Sequence, residues 1–260
     1  LQEDVASLQK SFVGLLVAVA VDKGLLDVRR PVSTYIRPGW SKAGAAHEGA
    51  VTVLHLLEMT SGLTEPLTSE APPGTRFYYN TPAYAILKPV LEVVSGLSLD
   101  AVSRQWLTEP AGLSDTLWRQ RPASFGDVGN PTGLYSTPRD MARMGQLVLD
   151  KGVAANGQRV ISEAQLAALF TRSSLNPAYG RLWWLNGSAY NLRIGQPAPR
   201  VETALIPAAP ADLIVAFGAL GRKIYISPGR QWVVVRTGQA HTDPQFDQQL
   251  WLLLTRAAPQ

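Results

Sequence analysis

The sequence predicts an α+β fold in which a mostly helical part is followed by an antiparallel sheet with helices. Three observations predict it. Apolar residues recur at helical spacing as far as about residue 170. From about residue 180 the pattern changes to short alternating runs bounded by Pro and Gly. A last amphipathic stretch, Gln245–Arg256, reads as a helix. The helical lobe is expected over about 1–175 and the sheet-forming lobe over about 176–260, as one domain with a site between the lobes. A chain of 260 residues that is 46% hydrophobic can bury a full core.

The first helix is expected over 5–23. Phe12, Val13, Leu15, Leu16, Val17, Val19 and Val21 leave it almost no polar face, which marks a core helix. Asp4 is placed to cap it, with Ser7 in its first turn. Further helices are expected near 52–59, 82–95, 98–108, 138–151 and 162–170 on the same spacing. Pro82 suits the first position of the helix expected over 82–95. Pro/Gly-rich loops such as 64–76 and 119–133 link them. Strands are expected over Arg181–Leu185, Arg200–Leu205, Leu213–Phe217, Lys223–Ser227 and Gln231–Arg236. There is no internal repeat and no low-complexity tract.

Two segments carry chemistry. In Ser7-Leu8-Gln9-Lys10 the hydroxyl and the amine are three apart, so a helix puts them on one face. A serine hydroxyl needs a base, and burial lowers the proton affinity of a lysine. The first turn of a helix also favours developing negative charge. The second segment is Pro73-Gly74-Thr75-Arg76-Phe77-Tyr78-Tyr79-Asn80-Thr81-Pro82, a turn leading into a helix. A tyrosine there can shuttle a proton beside an ammonium, and Asn80 or Thr81 can bond a substrate or cap the helix. Hydroxyl, amine and phenol together point to a serine hydrolase whose base is not histidine.

These segments resemble the serine β-lactamase-like and penicillin-binding-protein-like hydrolases, of the class C and family VIII esterase type. Ser7 to Phe12 resembles the family's nucleophile motif. Leu56-Leu57-Glu58-Met59-Thr60-Ser61-Gly62-Leu63, Gly133 to Arg143, and Tyr179-Gly180-Arg181-Leu182-Trp183-Trp184 resemble further signatures in the same order. The resemblance implies a β-lactamase/transpeptidase-like fold and acyl transfer to esters or amides. Ser7 would form the acyl-enzyme, and Lys10 and Tyr79 would relay the proton. The tyrosine motif fits in two registers. Spacing from Gly74 favours Tyr79-Asn80-Thr81, with Thr81 in the substrate-contact position where relatives have Asn; Tyr78-x-Asn80 is the other.

The third motif departs from the family. Arg236-Thr237-Gly238 ends a strand rather than opening one, so Ala219-Leu220-Gly221 is the expected stand-in. Gly221 and Arg222 are then substrate-side residues, with the Arg222 amide as second oxyanion donor and its side chain as a weak source of positive charge. Without the family's cationic motif an ester or amide fits better than a β-lactam. A β-lactamase or D-amino-acid peptidase, and a non-catalytic binding protein that kept the fold, are the alternatives. Ser114-Asp115-Thr116 is read as a turn. Trp183-Trp184 either lines a pocket or packs.

Other classes fit less well. A net charge of +4 without a dense Lys/Arg cluster argues against nucleic acid. With no Cys there is no thiol chemistry and no disulfide. Of the three His, His47 lies in a Gly/Ala-rich loop, His55 in an apolar helix and His241 near the end; no zincin motif and no Gly-x-Ser-x-Gly occurs. Neither a metal nor a cofactor is implied. The run Phe12–Val21 is too short to span a bilayer and lacks the marks of a signal peptide. The compartment is open, and periplasmic or secreted if an N-terminal signal was removed. The resemblance implies strands and a helix ahead of the nucleophile. An uncovered sheet edge is therefore expected, and a homo-oligomer or poor solubility if this is the whole polypeptide.

Overall fold

The computed structural model describes residues 1–122 and 129–258. The chain opens with strand β1 (Glu3–Asp4) and a 3-10 turn, Ala6–Leu8, before helix α1 (Gln9–Asp22). The helix expected over 5–23 therefore begins later, and Ser7 lies in the turn that leads into it. Asp4 does not cap that helix. It belongs to β1, accepts the Ala6 amide at 2.8 Å and pairs with the buried Arg121 at 2.8 Å. Between strand and helix Ala6 takes a left-handed φ of 51°, a sterically costly conformation for a residue with a Cβ. Every residue of α1 from Gln9 to Ala20 is buried, as a helix without a polar face demands.

Next come α2 (Ala45–Ala50), which holds His47, and α3 (Val53–Leu57). Thr52 and His55 form a reciprocal capping box on α3, so His55 is a half-buried capping residue rather than a core or interface one. The helix expected over 82–95 is two, α4 (Thr81–Ala85) and α5 (Leu87–Ser95), meeting at Ile86. Gly96 closes α5 in the left-handed region. α6 (Leu99–Ser103), capped by Ser98, runs into a π-type turn, Arg104–Thr108.

Strands β2 (Leu117–Gln120) and β3 (Thr132–Ser136) follow, and with β1 they form an antiparallel sheet in the order β1-β3-β2. The first lobe is thus less helical than its sequence implies. The ends of the loop expected over 119–133 belong to these strands, and residues 123–128 of it lie outside the described residues. Pairing with the two-residue β1 supplies hydrogen bonds that no local periodicity announces. α7 (Pro138–Leu149) and α8 (Glu163–Leu169) carry Thr137 and Ser162 as caps.

The remaining strands are β4 (Trp184–Leu185), β5 (Asn191–Leu192), β6 (Arg200–Val201), β7 (Ile214–Phe217), β8 (Lys223–Ser227) and β9 (Trp232–Arg236). Those expected over 181–185 and 200–205 shrink to two residues each. The Arg181 and Leu182 amides are drawn to the carbonyls of Leu169 and Leu57 instead. A four-stranded antiparallel sheet runs β4-β7-β8-β9, with β5-β6 as a separate pair. α9 (Phe246–Ala257) contributes the buried Trp251, which sits edge-on to Tyr225 at 5.9 Å. α7 covers β8 and β9, where a Cβ on Gly145 would fall 2.5 Å from Val233. β9 is the edge of its sheet among the described residues, and Trp232 to Val235 are only half-buried there.

Candidate active site

The head of α1 gathers the residues of the two motifs. Lys10 is 2% exposed, and its Nζ donates to Ser7 Oγ at 3.0 Å and to Thr81 Oγ1 at 3.0 Å. It lies 4.8 Å from the centre of the Tyr79 ring and 4.9 Å from that of Tyr84. A buried amine in contact with two hydroxyls and two aromatic rings can take up the serine proton or pass it on. Ser7 is half-buried, at the junction of turn and helix.

Helix capping separates the two registers of the tyrosine motif. The Asn80 side-chain oxygen accepts the Ala83 amide at 2.9 Å and so caps α4. Its side-chain amide donates to the carbonyls of Leu63 and Thr64, both at 2.9 Å. Asn80 is 1% exposed and spent on the fold. The next residue, Thr81, reaches Lys10. Tyr78 has its phenol pushed up, first by burial and then by the neighbouring Glu65. A phenol held neutral in this way is a poor base. The geometry therefore brings Tyr79 and Thr81 to Lys10, and leaves Tyr78 and Asn80 out.

Tyr79 rests on an aromatic bed. Its ring stacks on Trp184 at 5.8 Å and meets Tyr179 edge-on at 6.2 Å. Trp183 and Trp184 are both buried, and both pack: Trp184 beneath Tyr79, and Trp183 edge-on to Phe170 at 5.6 Å. Burial first, then the neighbouring Tyr79 and Tyr84, push the Tyr179 phenol well up and keep it neutral. Phe77 completes the bed, edge-on to Tyr179 at 5.4 Å.

The third segment meets the site through Gly218, a residue the sequence reading passed over. A Cβ there would lie 2.2 Å from the Val5 carbonyl oxygen, two residues ahead of Ser7. Its position at the end of β7 was the available signal. Ala219–Gly221 form a 3-10 turn packed against the turn of Ser7. The Arg222 amide, the expected oxyanion donor, donates back to the Ala219 carbonyl at 3.4 Å, within that turn. The Arg222 guanidinium is held by Glu3 at 3.0 Å, so its charge is spent locally. Gly221 takes a φ of 77°, and its carbonyl accepts from Arg236 at 2.8 Å. Lys223 pairs with Asp247 at 2.5 Å. Ser114-Asp115-Thr116 forms a turn held by Asp140, which accepts the Asp115 amide and the Thr116 hydroxyl.

An α+β fold of this order, with its hydroxyl and amine at the head of a buried helix, defines the β-lactamase and penicillin-binding-protein class of folds. The chain belongs to the beta-lactamase family, whose model matches residues 4–258. It is similar to "Penicillin-binding protein 4" of Amycolatopsis lactamdurans, 27% identical over 212 residues, 63% of this chain and 55% of that protein. It is also similar to the "6-aminohexanoate-dimer hydrolase" of Paenarthrobacter ureafaciens, 25% identical over 232 residues, 70% of this chain and 57% of that protein. The chain thus matches little more than half the length of these two relatives. Among solved structures, a family VIII carboxylesterase superposes with a TM-score of 0.71 at 18% identity, covering 97% of this chain and 82% of the other. No helix among the described residues is long and apolar enough to cross a membrane.

Proposed function

We propose that the chain is a serine hydrolase that forms an acyl-enzyme on Ser7 and cleaves carboxylic esters or amides, with residues 1–260 as one catalytic domain. The observation that carries this reading is the buried Lys10, 3.0 Å from both Ser7 Oγ and Thr81 Oγ1. Ser7 Oγ attacks the substrate carbonyl carbon, and its proton passes to Lys10 and Tyr79 acting jointly. The same pair returns the proton to the leaving oxygen or nitrogen. A water molecule then gives a proton to the same pair as it attacks the acyl carbon, and Ser7 Oγ departs and takes that proton back as the acid is released. The charged oxygen of each tetrahedral intermediate needs two amide donors. The Ser7 and Ala219 amides suit this role, since their two turns are in contact.

The charges beside the third segment favour an ester or amide over a β-lactam. Arg222 is neutralised by Glu3 and Lys223 by Asp247, and Arg236 donates to the Gly221 and Gln239 carbonyls, so all three cations are already engaged and none is held out for a substrate carboxylate. The substrate is a small neutral molecule on this reading, with no cofactor, metal or nucleic acid involved. The half-buried apolar edge of β9 supports association of the chain with itself or with another strand. A stable monodisperse monomer would count against that.

Intact-mass spectrometry after a fluorophosphonate and, separately, a penicillin tests the proposal on wild type and Ser7→Ala. A fluorophosphonate adduct on wild type that is lost in the variant is the expected result. A penicillin adduct as well would move the substrate towards β-lactams and D-amino-acid peptides. A folded wild type with no adduct would overturn the reading in favour of a non-catalytic binding protein.

A further inference from the structure

A second lysine lies buried behind the site, and neither the family signature nor the proposed chemistry uses it. Lys88, on α5, is 6% exposed. Its Nζ contacts Asn130 Oδ1 at 2.5 Å, Thr132 Oγ1 at 2.9 Å and the Thr132 carbonyl at 3.0 Å. The Trp118 ring centre is 4.6 Å away and that of Tyr84 is 5.7 Å away. Three acceptors match the three N–H bonds of an ammonium, and two aromatic faces favour a cation. This pocket is built to hold charge.

The same residues lead to the nucleophile turn. Asn130 donates to Gln9 Oε1 at 3.2 Å, and Tyr84 OH donates to the same oxygen at 3.1 Å. Gln9 lies between the two motif residues Ser7 and Lys10 on the chain, and it is fully buried. The Tyr84 ring therefore has Lys10 at 4.9 Å and Lys88 at 5.7 Å from its centre. Two amines share one buried ring, and one of them has acceptors that fit its protonated form.

We infer that Lys88 is a positioning residue that acts on Lys10: its fixed positive charge disfavours the protonated form of Lys10. This rests on the proposed roles of Ser7 and Lys10. Like charges in an interior of reduced dielectric repel over this range, and the repulsion makes the weaker-held proton leave first. A neutral Lys10 is the form that can accept the Ser7 proton.

The other charged groups near α1 are committed elsewhere. Asp4 and Arg121 form a buried pair, and Arg121 also donates to the Asn130 carbonyl at 3.3 Å. On α5 Glu92 accepts the Leu99 amide at 2.8 Å. On α8 Glu163 pairs with Lys151, and in the π-type turn Arg104 pairs with Glu109, all well exposed. Glu3 and Arg222 pair across the third segment. Asp22 lies at the far end of α1, where it accepts from Ser162.

The test is the rate of fluorophosphonate adduct formation on Ser7 as a function of pH, for wild type, Lys88→Met and Lys88→Arg. Circular dichroism first checks that each variant is folded, and Lys88→Gln replaces Lys88→Met if that variant is not. The expected result is that loss of the charge moves the acidic limb up by about one pH unit. The rate then falls about tenfold below the limb and is kept on the alkaline plateau. Lys88→Arg should keep the wild-type limb. An unmoved limb with a lower plateau would mean that Lys88 only supports the fold, and would overturn the inference while leaving Ser7 as nucleophile. A wild type inert at every pH would overturn the proposed function and this inference with it.

Discussion

Lys10 Nζ donates to Thr81 Oγ1 at 3.0 Å, so the residue that stands where relatives have an amide is a hydroxyl on the candidate base. Thr81→Val keeps the shape and removes the acceptor. Its expected outcome is unchanged folding with adduct formation slowed about tenfold or more, since a hydrogen bond to a charged group contributes about 1.5–3 kcal/mol. Thr81→Ser should restore the rate. Probe kinetics on the two variants check this, and an undiminished rate in Thr81→Val would remove Thr81 from the site.

The two adjacent tyrosines should behave differently. Tyr79→Phe is expected to slow acylation about 100-fold or more, the scale of a lost proton-transfer group. Tyr78→Phe should leave it nearly unchanged, because the Tyr78 phenol is held neutral by burial and Glu65. Equal losses in both variants would mean that the aromatic bed, rather than the Tyr79 phenol, is what matters.

Gly218→Ala tests the contact between the third segment and the nucleophile turn. The added methyl would meet the Val5 carbonyl at 2.2 Å, a backbone atom with no free side chain to yield. A destabilisation of about 1–3 kcal/mol is expected from overpacking. Adduct formation should fall further than the folded fraction does, since the turn that must shift carries Ser7. Denaturant unfolding and probe kinetics on the same sample separate the two effects.

His55 makes stability depend on pH. Burial first, and to a lesser extent the nearby His47, hold its imidazole below the ordinary value of 6.5, against the opposing effect of the Ala50 backbone carbonyl. Its Nδ1 accepts the Thr52 amide at 3.2 Å, which a proton there would prevent. The unfolded chain binds that proton more readily than the native one. Stability is therefore full above the ordinary value and falls as pH drops from there towards the lowered one. His55→Gln keeps a capping-box acceptor and does not titrate, so this part of the acid loss should vanish from a plot of Tm against pH. A slope unchanged in His55→Gln would assign the loss to another group.

Much of the fold was legible because its signals are local. The unbroken apolar run of α1, the starts of α7 and α8, and strand Lys223–Ser227 all follow from periodicity and caps within a few residues. The sheet β1-β3-β2 was not legible, because a two-residue strand has no period and its partner lies more than 120 residues away. The strand expected over 181–185 failed for the related reason that its amides found partners in Leu169 and Leu57.

The site divides along the same line. Sequence spacing by itself determined that Ser7 and Lys10 lie side by side, although Ser7 sits in the 3-10 turn ahead of the helix, and that a tyrosine and a small polar residue follow the Pro-Gly turn. It also determined the family to which these motifs belong. Tertiary structure alone decided which side chains and amides already have partners within the fold. Asn80 was claimed by its helix cap, Arg222 by Glu3, and the Arg222 amide by its own turn, while Gly218 was pressed against Val5. A side chain's chemistry is fixed by its type, but whether it is free to act depends on which partners the fold brings within hydrogen-bonding reach.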